Sequence, residues 1–364
     1  ILIVYLKKQN ILDRARTTLR NFIADYVRQR DMKDAALVAF VSPDFIDWRF
    51  SLVRVEYKIL QTPSGNIKAK EEFTPAKRFS FLVGPEEHTH TAQSRLVPII
   101  EDDVNNPTLK ELEDAFSIEK VTKEFFAKYT QLFHQLKETL NKLIIKDEKI
   151  KKDFLDKNIS TPDFTKKLLG QIVFLYFLQK KGWFGVEKNK DWGTGSKQFL
   201  RELFEEKHGQ YNNFYNDILE PLFYQALRND RSYDDHYFSQ FNCKIPFLNG
   251  GLFDPISDYD WIKTDILLDN NLFSNDNPTK EGDIGDGILD IFDRYNFTVK
   301  EDEPLEKEVA VDPEMLGKVF ENLLEVKDRK SKGTYYTPRE IVHYMCQESL
   351  INYLVNECEG KVGR

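Results

Sequence analysis

The run SKGTYYTPREIVHYM near the C-terminus combines residue types that could bind a small anionic ligand. Thr337 is placed as an N-cap, Pro338 suits the first helical position, and Glu340 completes a Thr-x-x-Glu capping box. The N-terminus of the helix that this pattern predicts carries unpaired N–H groups and a partial positive charge, so it could hold a carboxylate. The polar approach to this helix ends in two aromatic residues, Tyr335 and Tyr336.

The same residues also fit a helix start that binds nothing. Tyr336 could pack as a hydrophobic staple while Thr337 serves only as a cap, and spacing alone favours this simpler interpretation. The helix that follows should pack one apolar stripe against a core. That stripe comprises Val342, Cys346, Ser349 or Leu350, and Tyr353.

A second candidate lies near the N-terminus, where Pro43-Asp44 is followed by Glu56-x-Lys58. Many nucleases hold Mg²⁺ and activate water with two carboxylates and a lysine in a similar order. However, Glu56 and Lys58 alternate with apolar residues, as they would on any half-buried strand. We therefore predict a structural role for this triad and assign no catalytic residue or metal ligand.

Two histidines and two glycine-containing runs offer weaker chemistry. His88 and His90 could be metal ligands, but no third ligand is apparent nearby, and we predict an exposed pair at a helix start. The run FLNGGLFDP does not follow a strand and open a helix, as a phosphate-binding loop would. It is predicted to be a tight turn between packed aromatic residues. The run GDIGDG lacks the ligand spacing of a calcium loop.

Composition excludes several classes of protein. No apolar run among the 364 residues approaches the roughly 20 residues of a membrane span, and the opening ILIVYL resembles a strand more than a signal peptide. The three cysteines show no metal-binding spacing, which fits a reducing cytoplasm. A net charge of −8 argues against a globally basic surface for nucleic-acid binding but allows local basic patches. The chain begins without methionine and ends just after a helix, so we expect it to be a fragment.

The pattern of elements predicts an α+β chain that is mostly helical. Residues 1–108 read as a strand, a helix and about three further strands, which form a small α/β module. Residues 109–305 read as a helical connector region rich in aromatic side chains. Residues 306–364 contain the helical run PEMLGKVFENLL and then the opening motif. The Lys-rich run IKDEKIKKDFLDK reads as a solvated stretch because its acids nearly balance its bases.

Several runs resemble adenine-specific DNA methyltransferases of the type IIG restriction-modification family. The stretch VDPEMLGKVFENLLEVKDRKSKGTYYTPREIVHYMCQESLINYL resembles the entry to their methyltransferase domain. FLQKKGWFGV, PLFYQAL, FNCKIPFLNGGLFDP and GDGILDIFDRYNFTV resemble the helical region before it, and DWRFSLVRVEY, KRFSFLVG and HTAQSRL resemble the N-terminal region. By this resemblance, Tyr335, Tyr336, Thr337 and Pro338 help to bind S-adenosylmethionine.

The chain also departs from that family. The glycine-rich cofactor loop and the Asn-Pro-Pro-aromatic motif are absent from these residues. The resemblance places both shortly after Arg364, so we expect the chain alone to be inactive. For the complete enzyme, the resemblance implies that double-stranded DNA is the partner and that a methyl group is transferred to N6 of adenine. It implies a requirement for Mg²⁺ only if a nuclease domain is present. The alternative is a non-catalytic DNA-binding or protein-interaction scaffold. The sequence leaves the oligomeric state open.

Overall fold

The computed structural model describes residues 1–7, 16–28, 34–43, 46–55, 57–58, 72–73, 76–248, 250–298, 305–311, 313, 337 and 339–362. These residues belong to two compact units, Ile1–Val311 and Asp312–Arg364. The division predicted from the sequence, into residues 1–108, 109–305 and 306–364, is finer than these two units and stays a prediction.

The first unit begins with a five-stranded mixed sheet in the order β1-β2-β3-β6-β9. Its strands are β1 (Leu2–Tyr5), β2 (Ala35–Val41), β3 (Trp48–Arg54), β6 (Lys77–Val83) and β9 (Glu306–Glu308). Strands β2, β3 and β6 form an antiparallel meander, whereas β1 and β9 pair in parallel with β2 and β6. The short strands β4 (Tyr57–Lys58) and β5 (Glu72–Phe73) form a separate ladder.

Helix α1 (Arg16–Arg28) covers one face of this sheet. Alternation of apolar residues along the strands places Val38, Phe40 and Val53 on that face, because successive side chains point to opposite faces. They pack with Ile23 and Val27 of α1. The predicted order of strand, helix and three strands is therefore confirmed.

Polar side chains are also buried in the sheet. Arg49 of β3 donates a hydrogen bond to Glu308 of β9 over 3.0 Å, and both side chains are almost inaccessible to water. Ser51 and Ser80 pair across β3 and β6 at 2.7 Å. The buried Arg49–Glu308 pair fixes β9 to the sheet, although the two residues lie 259 positions apart.

Helices dominate residues 90–179. They are α2 (His90–Ile100), α3 (Leu109–Ala115), α4 (Ile118–Lys146), α5 (Glu148–Asp156) and α6 (Thr161–Gln179). Side chains of Thr108, Ser117, Asp147 and Ser160 cap the N-termini of α3 to α6. The Lys-rich run that was predicted to be solvated contributes helix α5, which buries Ile150 and Phe154.

The remainder of the first unit is irregular. Helix α7 (Phe199–Phe204) precedes two π-helices, Phe214–Leu219 and Leu222–Leu227, which lie within the region 109–305 that was predicted to be helical. Then come the hairpin of β7 (Tyr237–Phe238) and β8 (Cys243–Lys244), several 3₁₀ turns and helix α8 (Ile288–Phe292). Short π-helical stretches are rare and are frequently found at functional sites.

The second unit contributes helix α9 (Arg339–Val362). About 50% of the described residues are helical, and the helices accompany a mixed sheet. Among the described helices, none combines the length and the apolar character that a membrane crossing requires. The run PEMLGKVFENLL lies outside the described residues except for Pro313.

Candidate functional site

The predicted cofactor motif lies immediately before α9. Thr337 is exposed, and the helix is helical from Arg339 onward, as the capping box predicts. Tyr335, Tyr336 and Pro338 lie outside the described residues. A helix of 24 residues presents unpaired N–H groups at its first turn, so the described part of this motif is compatible with an anionic ligand.

The side chains of α9 from residue 341 to 358 are exposed. Val342, Leu350 and Tyr353 of the predicted stripe retain 44%, 58% and 61% of their accessible surface. The stripe is thus not packed against a core within the described part of the chain, contrary to the prediction from spacing. Exposed apolar side chains in a row are more typical of a surface that receives a partner than of an isolated helix.

Most of the nuclease-like triad lies outside the described residues. Asp44 and Glu56 lie outside the described residues, and Lys58 is described only as part of strand β4. Within the described ranges, no group of three or more His, Cys, Asp or Glu side chains could hold a metal ion.

The two histidines are half-buried rather than exposed. His90 begins helix α2, and its Nε2 lies 2.7 Å from Oδ1 of Asp283. Burial lowers the pKa of His88. Glu87 is the neighbour of His88 in the chain. Burial raises the pKa of Glu87, but the positive charges of Lys180 and Lys197 outweigh this effect, so that the pKa of Glu87 lies below its ordinary value. The pair of histidines therefore lies in a network of ion pairs.

A second charged network surrounds Arg201 of α7. Its guanidinium donates to Asp290 over 2.9 Å and to Asp293 over 2.7 Å, and it also donates to Ser274. The buried Tyr176 of α6 donates to Asp293 over 2.7 Å. These contacts bind α8 and the loop before it to two helices that come much earlier in the chain.

The run FLNGGLFDP forms the packed turn that the sequence predicts. Phe253 is buried and lies against Phe174 and Phe223, with ring centroids 6.0 and 5.7 Å away. Carbonyl oxygens of the turn accept hydrogen bonds from α6, from Lys167 over 3.0 Å and from Gln171 over 2.8 Å. Asn249 lies outside the described residues.

A buried carboxyl group lies beside this turn, between the two π-helices. Glu220 is 0% exposed, and its Oε1 accepts a hydrogen bond from Tyr259. The Tyr259 hydroxyl lies 3.1 Å from that of Tyr215 and 3.3 Å from that of Tyr224. Oε2 of Glu220 has no hydrogen-bond partner among the described residues. Burial raises the pKa of Glu220 to about 9, so the group is a neutral acid at pH 7.

A surface loop joins α6 to α7. We call residues 181–197 the lysine loop. Gly182 has a φ of +66°, and a Cβ on Gly195 would collide with the carbonyl oxygen of Phe184. Both glycine amides at 193 and 195 donate to the carbonyl of Gly182 over 3.0 Å. Phe184 and Val186 are fully buried, so the loop is anchored at its base.

The lysine loop carries basic and aromatic side chains on its outer surface. Lys181, Lys188, Lys190 and Trp192 are exposed. Lys181 lies over the ring of Trp183, and Lys188 lies over that of Tyr237, with Nζ 5.1 and 4.5 Å from the centroids. Lysines interleaved with aromatic rings are a pattern found at nucleic-acid interfaces.

Part of this chain is similar in sequence to a named protein. An alignment of 254 positions, which covers 64% of this chain, shows 28% identity to a protein of Methanocaldococcus jannaschii named "Putative type II restriction enzyme and methyltransferase RM.MjaORFECS2P". This chain is similar to part of a restriction-modification protein. The matched region spans 19% of the relative's length. No protein-family model matches the chain, and no solved structure matches it either.

Two of these clusters escaped the sequence analysis. Glu220 and Tyr259 are separated by 39 positions, and Arg201 and Asp293 by 92, so no local spacing relates them. One signal was available for the lysine loop, where KKGWFGVEKNKDWGTGSK alternates lysine, glycine and tryptophan within a short run.

Proposed function

We propose that this chain is the N-terminal portion of a DNA adenine-N6 methyltransferase from a restriction-modification system. The observation that carries this proposal is the similarity to a relative whose name combines restriction enzyme and methyltransferase. The match covers a minor part of that relative, which leaves ample length for the catalytic motifs that this chain lacks.

In this proposal double-stranded DNA is the substrate and S-adenosylmethionine is the cofactor. The cofactor supplies an electrophilic methyl group, which the exocyclic amine of an adenine accepts after the base has been turned out of the duplex. Mg²⁺ is required only if a nuclease domain accompanies the methyltransferase. We place the enzyme in the cytoplasm, where its DNA substrate is found.

The residues of this chain contribute one wall of the cofactor site. Tyr335, Tyr336, Thr337 and Pro338 form that wall, with the first turn of α9 behind them. Exposure of Thr337 and the helix that begins at Arg339 fit this role, because a helix N-terminus can hold a carboxylate group. The exposed apolar side chains of α9 then pack against the remainder of the methyltransferase domain, which supplies the opposite wall and the catalytic residues.

Base-resolution mapping of modified DNA tests the proposal. The full-length protein is expressed in a host that lacks adenine methylation, and the genomic DNA is sequenced by a method that detects N6-methyladenine. We expect methylated adenines confined to one short recognition sequence. Unmodified DNA from cells that contain soluble protein would favour the alternative, a non-catalytic scaffold, and modified cytosines would contradict adenine specificity.

A further inference from the structure

The lysine loop carries a positive local charge in an acidic protein. Its residues include four lysines and two acids, whereas the whole chain has a net charge of −8. The close contacts of its glycines and the buried Phe184 anchor the loop at its base. A preorganised loop binds with a smaller loss of conformational entropy than a flexible one.

The ion pairs of these lysines leave them available to an external anion. Lys188 pairs with Asp234 over 2.7 Å, but their side chains are 49% and 44% exposed. Lys190 pairs with Glu187 over 2.8 Å, and these side chains are 55% and 71% exposed. Exposed pairs of this kind contribute little free energy because water and salt screen them. A phosphate group can therefore displace either carboxylate at small cost.

Trp192 adds an aromatic contact to this surface. Its ring is 39% exposed, and the buried Lys244 holds it from behind, with Nζ 4.9 Å from the centroid. The ring of His236 lies 6.0 Å away, and its buried Nδ1 has no hydrogen-bond partner among the described residues. His236 has a φ of +60°, and the preceding Asp235 a φ of +48°. Backbone strain of this kind is concentrated at functional sites.

We infer that the lysine loop binds the phosphate backbone of duplex DNA through Lys181, Lys188 and Lys190, with Trp192 contacting the adjoining sugars. This inference rests on the proposed function, which makes DNA the substrate, and it adds a surface that holds the duplex outside the cofactor site. Phosphate contacts position a protein on DNA and carry no sequence information directly. The loop therefore contributes affinity rather than recognition of a target sequence.

Binding to a random duplex at two salt concentrations tests the inference. The probe is a fluorescent duplex without a methylation site, titrated with the full-length protein and its K181A/K188A/K190A variant. Each phosphate contact contributes about 0.9 to the slope of log affinity against log salt, so the loss of affinity between about 50 and 200 mM salt should be roughly 40-fold smaller in the variant. Trp192→Ala, which changes no charge, should weaken binding to the duplex severalfold without changing the slope of log affinity against log salt.

A matched control removes three exposed lysines from helix α4. Lys120, Lys123 and Lys142 are exposed, and their replacement by alanine makes the same change in net charge. We expect this control to retain the wild-type slope. Equal slopes for the loop variant and the wild type, or equal losses in both triple variants, would overturn the inference. Methyl transfer is measured separately: a protein that binds DNA through the loop but transfers no methyl group refutes the proposed function alone.

Discussion

The hydroxyl group of Tyr259 donates a hydrogen bond to Oε1 of Glu220, a carboxyl group to which water has no access. This contact closes a chain of hydroxyl groups that continues to Tyr215 and Tyr224. The carboxyl group lies between two π-helices, where the backbone departs from α-helical geometry. Its burial has a measurable consequence for stability.

We expect the free energy of unfolding to depend on pH through Glu220. Its pKa is about 9 in the folded protein, against an ordinary value of 4.5. Below pH 4.5 both the folded and the unfolded states hold the proton. As pH rises from there to about 9, only the unfolded state releases it, so this group's contribution to stability is progressively lost.

Glu220→Gln should therefore flatten the fall in stability between pH 5 and pH 9. The amide can still accept the hydrogen bond from Tyr259, and an NH₂ group without an acceptor there would lower stability by an amount that does not depend on pH. The test is thus the slope, obtained from urea denaturation at several pH values. The exposed Glu138→Gln serves as control and should retain the wild-type slope. Parallel curves for wild type and Glu220→Gln would show that Glu220 is ionised in the folded protein.

The Arg201 network should be a major contributor to the stability of the first unit. Arg201→Ala leaves Asp290 and Asp293 without their cation, and Asp290 is only 9% exposed. Breaking a buried pair in this way costs roughly 3 kcal/mol. Lys123→Ala removes the exposed pair with Glu119 and should change the thermal midpoint very little. Calorimetry of both variants measures the difference, and similar midpoints would contradict a structural role for the network.

The lysine loop depends on the small size of Gly195. An alanine Cβ there would meet the carbonyl oxygen of Phe184, so Gly195→Ala should destabilise the protein by roughly 1–3 kcal/mol. Gly250→Ala is the matched control, because nothing lies within 4 Å of a Cβ at that position. Urea denaturation of both variants provides the comparison. Equal stability would mean that the loop can move away from Phe184 at no cost.

The sequence predicted the strands β2, β3 and β6 because each is a run of β-forming residues bounded by turn residues, but it did not predict that they pair as an antiparallel meander. The sequence did not predict β9, because Glu306-Lys307-Glu308 shows no alternation of apolar residues. This strand is held in the sheet by the hydrogen bond from the buried Arg49 to Glu308. The π-helices escaped prediction for a related reason. Their spacing of apolar residues resembles that of an α-helix, and only the backbone geometry around Glu220 distinguishes them. The start of α9 could be predicted because the residues of the capping-box pattern lie within four consecutive positions.

Substitution of Thr337 distinguishes a contact with the cofactor from a simple helix cap. Thr337→Val removes a hydroxyl group, with a loss of stability of roughly 1 kcal/mol if it caps α9. We expect the full-length variant to remain folded but to bind S-adenosylmethionine more weakly, whereas Thr337→Ser, which keeps the hydroxyl group, should bind normally. The 364-residue chain alone should bind very weakly because it supplies one wall of the site. Calorimetric titration measures the affinity of each variant for S-adenosylmethionine. Unchanged affinity in a folded Thr337→Val variant would show that the motif is a capped turn and not a cofactor contact.

Transfer of a labelled methyl group to DNA is the most direct measurement of the proposed activity. Purified full-length protein is incubated with duplex DNA and S-adenosylmethionine labelled in its methyl group, and the DNA is then digested to nucleosides. We expect label in N6-methyladenine and none in methylated cytosine. Label in cytosine, or no label from a folded protein that binds the cofactor, would contradict it.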